Sequence, residues 1–313
     1  MLNFNKIGVT LVTNKKEIGG MAAALIANII FGFSFIFSKL ALDVAHPLVI
    51  LAVRFTVAFL ALNILLLTGK ITLNFKGKPK FKLILMGLMQ PLLYFIFELY
   101  GLSLVSSALS GVIIALVPVV VMLLAVTFLG EKPTFIQIIC TIVSIVGVAT
   151  VSILQNDNSK NHILGVLLLV GAVICAAAFN VLSRKESERF SPFERTYIMF
   201  LLGCIGFNIL AFAVLRGSYF SHITSALTEP KFIIAILYLA VLSSVAAFML
   251  YNYSTTVISV VRSSSFSNII TVVTVLAGVI LLKEKFSVSE YLLCAVIISG
   301  VWGVNTFTNK KDN

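Results

Sequence analysis

The stretch Tyr100-Gly101-Leu102-Ser103-Leu104-Val105-Ser106-Ser107-Ala108-Leu109-Ser110, with Phe128-Leu129-Gly130-Glu131-Lys132 beyond it, returns later in altered form. Shifted by 153 residues, Tyr100 meets Tyr253, Ser106 meets Ser259, Ser110 meets Ser263, Glu131-Lys132 meets Glu284-Lys285, and Gly147 meets Gly300. Upstream the matching shift is 145: Gly20 meets Gly165, Ala27 meets Ala172, Ser38 meets Ser183, Lys39 meets Arg184, Pro47 meets Pro192, Phe55 meets Phe200, and Asn63 meets Asn208. The shifts differ by eight residues, which a longer loop between the seventh and eighth apolar stretches absorbs. An internal repeat of this length governs the reading of the fold.

Ten apolar stretches surround and include these segments, roughly at 19–42, 46–68, 81–102, 105–129, 134–154, 163–183, 193–215, 230–254, 258–282 and 287–308. Each reaches the length of about 20 residues that a bilayer core requires. Of the 313 residues, 59% are hydrophobic and 11% charged, with mean hydropathy +1.09. A soluble domain carries about 25% charged residues, so this inventory cannot clothe a water-facing surface. Continuous rather than alternating apolar runs exclude a porin-type barrel. The first run reads as a retained span rather than a cleaved leader.

Five spans per copy is an odd number, so the second copy enters the membrane from the opposite side. The expected fold is an all-α integral membrane protein, ten transmembrane helices as two inverted five-helix repeats. The repeats occupy 19–154 and 163–308, between a cytoplasmic N-terminal segment, 1–18, and a cytoplasmic tail, 309–313. If the two copies exchange slightly different conformations, an inward-open cavity becomes an outward-open one, which favours a transporter over a receptor or scaffold.

The net charge of +11 does not point to nucleic acid, because the basic residues sit in short loops rather than on one face. With the N-terminus inside, fifteen Lys and Arg residues fall on the inner side and six on the outer, with the Lys76 to Lys82 block decisive. The positive-inside rule therefore places both termini in the cytoplasm of a multi-pass protein of the plasma (cytoplasmic, inner) membrane. Cys140, Cys175, Cys204 and Cys294 fall within apolar runs without paired spacing and are expected to pack as small hydrophobes. His46, His162 and His222 read as scattered loop residues, so no metal site or catalytic dyad is expected. The sequence contains no Gly-Lys-Ser/Thr phosphate loop, which argues against ATP-driven pumping, and no cofactor is expected.

The quoted signature, Tyr100-Gly101-Leu102 through Ser106-Ser107-Ala108, then Pro118, then Phe128-Leu129-Gly130-Glu131-Lys132, resembles the repeat of EamA-type members of the drug/metabolite transporter superfamily. The second copy keeps Leu281-Leu282-Lys283-Glu284-Lys285, departing at Lys283, where Gly is usual, and at Thr271, where Pro is usual. The resemblance spans about residues 19–308. It implies a ten-span carrier with a central cavity, commonly exporting amino acids or other metabolites. It also implies a pathway lined by the third, fourth, eighth and ninth spans, with the first and sixth.

A charged side chain at mid-bilayer costs about 2.5–3.5 kcal/mol on insertion scales, so each one calls for a reason. Gln90, Tyr94 and Glu98 are spaced four apart and share one face of the third span, whose other faces carry Leu, Phe and Ile. Glu98 is a candidate for binding a cationic substrate group or carrying a coupling proton; the bland alternative is an ion pair with Lys39. Arg54 reads as a structural group holding Asp43 or a helix-end carbonyl. Asn28, Ser34, Asn180, Asn252 and Asn268 are candidate cavity residues, although amides also join helices in lipid. Tyr251 falls on Glu98 at the shift of 153, so the two copies differ chemically at an equivalent point. Tyr94, Tyr100 and Tyr251 could stack on an aromatic or cationic ligand or simply fill space. The serines from Ser263 to Ser267 more readily mark close helix packing than binding. Pro91 and Pro118 should kink their helices and are candidate gating positions.

Together these features predict a secondary-active exporter of amino acids or related metabolites. Its partners would be a small-molecule substrate, the lipid bilayer and a candidate coupling proton, and it would act as a monomer or weak dimer. Import of a nutrient cation such as a quaternary amine is the alternative within the class. A membrane-embedded enzyme would need more converging acid, His or Ser/Lys groups, and a non-transporting partner would need a domain to signal through.

Overall fold

The computed structural model describes residues 15–69, 73–129, 134–155, 160–258, 263 and 266–306. The Gly130-Glu131-Lys132 element, Arg262, Ser264 and Ser265, most of the N-terminal segment 1–18 and the tail 309–313 lie outside the described residues. The described elements are helical. They are α1 (Lys15–Leu42), α2 (Pro47–Leu67), α3 (Phe81–Gly87), α4 (Tyr94–Leu104), α5 (Ser107–Ile114), α6 (Val117–Leu129) and α7 (Phe135–Leu154). There follow α8 (Lys160–Glu186), α9 (Pro192–Leu215), α10 (Tyr219–Leu227), α11 (Pro230–Leu237), α12 (Ala247–Val257), α13 (Ser267–Leu281) and α14 (Val288–Thr306). Among the described residues, eight helical stretches are long and apolar enough to cross a membrane, and Ser267–Leu281 and Val288–Gly303 are shorter apolar helices. Their outer faces carry exposed apolar side chains such as Leu60, Ile142, Val146, Ile209 and Ile280. Such a surface is stable against lipid tails and not against water.

Local construction recurs at the two sequence shifts. His46 caps α2 ahead of Pro47, and Ser191, 145 residues on, caps α9 ahead of Pro192. Thr134 and Gln137 form a capping box on α7, and Ser287 with Glu290 exchanges the same pair of bonds on α14, 153 residues later. Lys39 Nζ donates to the carbonyls of Leu102 (2.9 Å) and Val105 (2.7 Å) at the end of α4. Arg184, its counterpart, donates to the carbonyl of Thr255 (2.7 Å), the counterpart of Leu102, at the end of α12. Basic side chains suit these carbonyl-rich helix ends. A π-helical stretch, Leu88–Leu93, joins α3 to α4, and another, Tyr238–Ala246, joins α11 to α12 at the equivalent place. Such wider turns bend a helix and open its backbone ladder.

Packing follows the same scheme. α1 lies against α12 and α13, α4 against α8, α2 against α9, α5 against α13, and α7 against α14. Glu284, from the second copy of the signature, closes the start of α5 in the first half: its carboxylate accepts from Ser107 N and Oγ (both 2.8 Å) and Ala108 N (2.9 Å). A carboxylate at a helix start satisfies otherwise orphaned donors.

Three expectations change. The eight-residue insertion is not a plain loop: a 3-10 turn at Arg216–Ser218 leads into α10, tied back by Tyr219 to Asn208. His162 and His222 sit in α8 and α10, not in loops. The fourth stretch is broken rather than kinked at its middle, since α5 stops at Ile114 and α6 starts at Val117. Pro118 falls in the first turn of α6, where a missing N–H costs little.

α7 and α14 cross closely through glycines that match at 153 residues. A Cβ on Gly147 would stand 2.6 Å from Ile297 Cγ1, and one on Gly300 would collide with Ser144 Oγ and approach Cys140 O to 3.0 Å. Overpacking a tight contact costs about 1–3 kcal/mol. Gly147→Val and Gly300→Val are expected to lower the thermal unfolding midpoint in detergent, followed by fluorescence-detected size exclusion after heating. Unchanged midpoints in both variants would contradict the close crossing.

Candidate functional site: a cavity between the halves

Bending of the third and eighth stretches turns polar groups inward. Gln90 takes a non-helical backbone (φ −143°, ψ 117°) inside the first π-helical stretch, and the Gln90–Pro91 peptide is cis. The chain resumes as α4 with Tyr94 and Glu98 on one face, both buried. They line a cavity of about 70 Å³ in the interior of the bundle. Asn28, Phe31 and Ser34 of α1 and Arg54 of α2 complete the wall from the first half, with Ile114 and Val117 flanking the α5–α6 break. The second half contributes Phe179 and Asn180 of α8, Ser243 of the second π-helical stretch, Phe248 and Tyr251 of α12, and Ser267 and Ile270 of α13.

The polar lining is mostly engaged. Asn28 Nδ2 donates to the Ala24 carbonyl (2.7 Å), Ser34 Oγ to Phe31 O (2.6 Å), and Tyr251 Oη to Asn180 Oδ1 (3.0 Å). Arg54 Nε donates to Ser244 Oγ (2.9 Å) and Nη2 to Ser243 Oγ (3.3 Å), with its guanidinium carbon 4.3 Å from the centre of the Phe95 ring. Two lining groups are not: Ser267 Oγ has no hydrogen-bond partner, and neither has Oε2 of Glu98, an ionisable side chain only 3% exposed. A buried carboxylate oxygen without a donor is costly unless something outside the chain supplies one.

The EamA-like transporter family model matches this chain twice, over residues 18–153 and 163–306. The chain belongs to that family. An uncharacterized transporter of Bacillus subtilis, YcxC, is 35% identical over 92% of this chain and 93% of its own length. An uncharacterized transporter of Archaeoglobus fulgidus is 25% identical over 87% of this chain and 93% of its own. A solved structure described only as "Crystal structure of protein" superposes with TM-score 0.65 at 15% identity, covering 94% of this chain and 99% of that one, which shows a shared fold. The molecule is thus a multi-pass membrane transporter.

Of the sequence-predicted residues, this EamA-like transporter brings Glu98, Tyr94, Gln90, Asn28, Ser34, Asn180 and Tyr251 to one cavity. Asn252 is not among its lining residues. Its Nδ2 donates to Thr196 Oγ1 (2.9 Å), its Oδ1 accepts from Ser183 Oγ (3.0 Å), and its carbonyl accepts from Arg195. Asn268 is buried but lines no part of the cavity. Tyr100 lines a separate cleft with Lys39, Asp43 and His46. Lys39 holds carbonyls rather than Glu98, and Asp43 pairs with Lys231 (2.6 Å) rather than Arg54. Pro91 packs at the kink beside Gly203, whose added Cβ would stand 2.9 Å from Pro91 Cγ. Sequence reasoning missed Ser243 and Ser244; the shift of 153, which lays them on Gln90 and Pro91, was the available signal.

Because Asn252 joins α8, α9 and α12 away from the cavity, Asn252→Ala is expected to act on stability. Loss of its bonds should cost about 1–3 kcal/mol, seen as a lower melting midpoint with an unchanged KM for transported substrate. A changed KM at normal stability would return Asn252 to the binding site.

Proposed function

We propose that this chain is a secondary-active carrier that exports amino acids or related small metabolites by alternating access between two inverted five-helix repeats. The observation that carries the reading is Glu98: a buried carboxylate with an unpartnered oxygen, facing a cavity built by both halves. In this reading Glu98 receives the positive group of the substrate or the coupling proton, with Tyr94 and Gln90 beside it. The recurring caps, kinks and Lys39/Arg184 contacts support two halves built alike, and the odd number of spans in each supports their inversion.

Both carbonyl contacts are made at once and the cavity is small against the roughly 300–1,000 Å³ of typical ligand sites. This fits an intermediate closed at both ends, from which each contact would release in turn. The basic loop from Lys76 to Lys82 supports cytoplasmic termini and a plasma-membrane location. One chain encloses the cavity, which supports a monomer as the working unit.

The aromatic wall of Phe31, Tyr94, Phe95 and Phe248 around the carboxylate also favours a second reading, uptake of a quaternary amine. Counterflow in proteoliposomes separates a carrier from a pore: a carrier gives saturable exchange, a pore gives flux linear in concentration. Glu98→Gln is expected to insert and purify normally while exchange falls at least about tenfold, the loss of about 1.4 kcal/mol or more of binding or coupling. Wild-type exchange with unaltered pH dependence in that variant would remove Glu98 from the mechanism.

A further inference from the structure

Arg54 carries a second, unexplained charge on the same wall. It is 2% exposed, lies on α2, and reaches the cavity from the first half while Ser243 and Ser244 hold it from the second. Two successive serines of the π-helical stretch Tyr238–Ala246 meet this one guanidinium. Phe95 covers one side of the guanidinium at 4.3 Å. Nε and Nη2 are engaged, and among the described residues no acceptor meets Nη1.

Arg54 also lacks a carboxylate. Among the described residues the ion pairs within 4 Å are Lys78–Glu194 and Lys231–Asp43. Arg54 and the Glu98 carboxyl therefore face one cavity and do not close on each other within 4 Å. A pair of buried charges left apart is unfavourable in a low-dielectric interior unless a third party bridges them. The serines and Phe95 hold the guanidinium in place, and a fixed fork is suited to a carboxylate.

We infer that Arg54 and Glu98 are the two ends of one site for a small zwitterion, with the substrate carboxylate on Arg54 and its protonated amine on Glu98. Ser243 and Ser244 are positioning residues that aim the guanidinium. The inference rests on the carrier reading of the same cavity and narrows its substrate: a solute bearing only one of the two charges leaves the other protein charge unmatched.

The test is counterflow into proteoliposomes with the twenty common amino acids, their carboxamides and their N-acetyl derivatives, on wild type, Arg54→Gln, Arg54→Lys, Ser244→Ala and Ser244→Thr. For a zwitterion that wild type exchanges, the amide and the N-acetyl form should each compete at least about tenfold more weakly. Arg54→Gln should raise KM about 10- to 100-fold, as for loss of a hydrogen-bonded charge, and erase the preference over the amide. Ser244→Ala should raise KM with little change in kcat, and Ser244→Thr, which keeps the hydroxyl, should restore it. Should the arginine variants fail to purify as monodisperse protein, the wild-type analogue comparison and the serine variants still decide. An amide carried as well as its parent, or saturable exchange confined to solutes of one charge or none, overturns the zwitterion site and leaves the carrier standing. Flux that never saturates removes the carrier reading and this inference with it.

Discussion

Two ionisable side chains kept out of water set the terms for the rest of this bundle. Glu98 and Arg54 are both almost fully buried, and a membrane interior offers them no solvent. The chain meets half of that demand itself: two serines and an aromatic ring hold the guanidinium, while the carboxylate keeps an oxygen unpaired. Holding them apart requires a bundle that is stiff where it crosses and bent where it binds. The glycine contacts between α7 and α14 supply stiffness at the periphery, and the two π-helical stretches supply the bends at the cavity. On the proposed reading, the unpaired oxygen is where substrate or proton enters the account.

The contacts that repeat at 145 and 153 residues are, on the proposed reading, where the cavity would open. Lys39 on the end of α4 and Arg184 on the end of α12 are the same device used twice, and an inverted arrangement would set them at opposite faces of the bilayer. Glu284 adds a bond between halves, fastening α5 beside Lys39. The halves are not equal in strength. Arg195 donates to Ser183 of α8 and to Asn252, Thr255 and Thr256 at the end of α12, and the residue 145 positions earlier, Ile50, has no such capacity. On the proposed reading, releasing the α12 end would take more than releasing the α4 end.

Periodicity made most of the architecture legible. Long apolar runs, a repeat in two registers and turn residues at matching positions were enough to place most of the described helices within a few residues, though not the break in the fourth stretch or the start of α13 at Ser267. Glu98 and Tyr94 were legible as a stripe because polar side chains four apart lie on one helix face, and lipid tails give such a face nothing to bond; Gln90 is not on that face but reaches the same cavity from the non-helical kink ahead of α4. The failures share a cause: spacing along one helix does not tell which neighbour a side chain meets. Lys39, a candidate ion-pair partner of Glu98, holds helix-end carbonyls instead, and the Asn252 side chain meets Ser183 and Thr196 instead of the cavity. From the sequence Arg54 reads as holding Asp43 or a helix-end carbonyl, because its partner hydroxyls, Ser243 and Ser244, lie 189 and 190 residues away and carry no charge to betray them. The helix α10 was hidden within an insertion, whose length alone says nothing of its fold.

The central claim is that the two halves lie upside-down about the charged cavity, and sided labelling addresses it directly. In a variant without the four native cysteines, single cysteines would replace Asp43 and Glu188, exposed residues at equivalent places after α1 and α8. A membrane-impermeant maleimide should then modify position 43 only from outside intact cells and position 188 only after the inner face is opened. Labelling of both from the same face would contradict the inverted arrangement and, with it, alternating access by exchange of the halves.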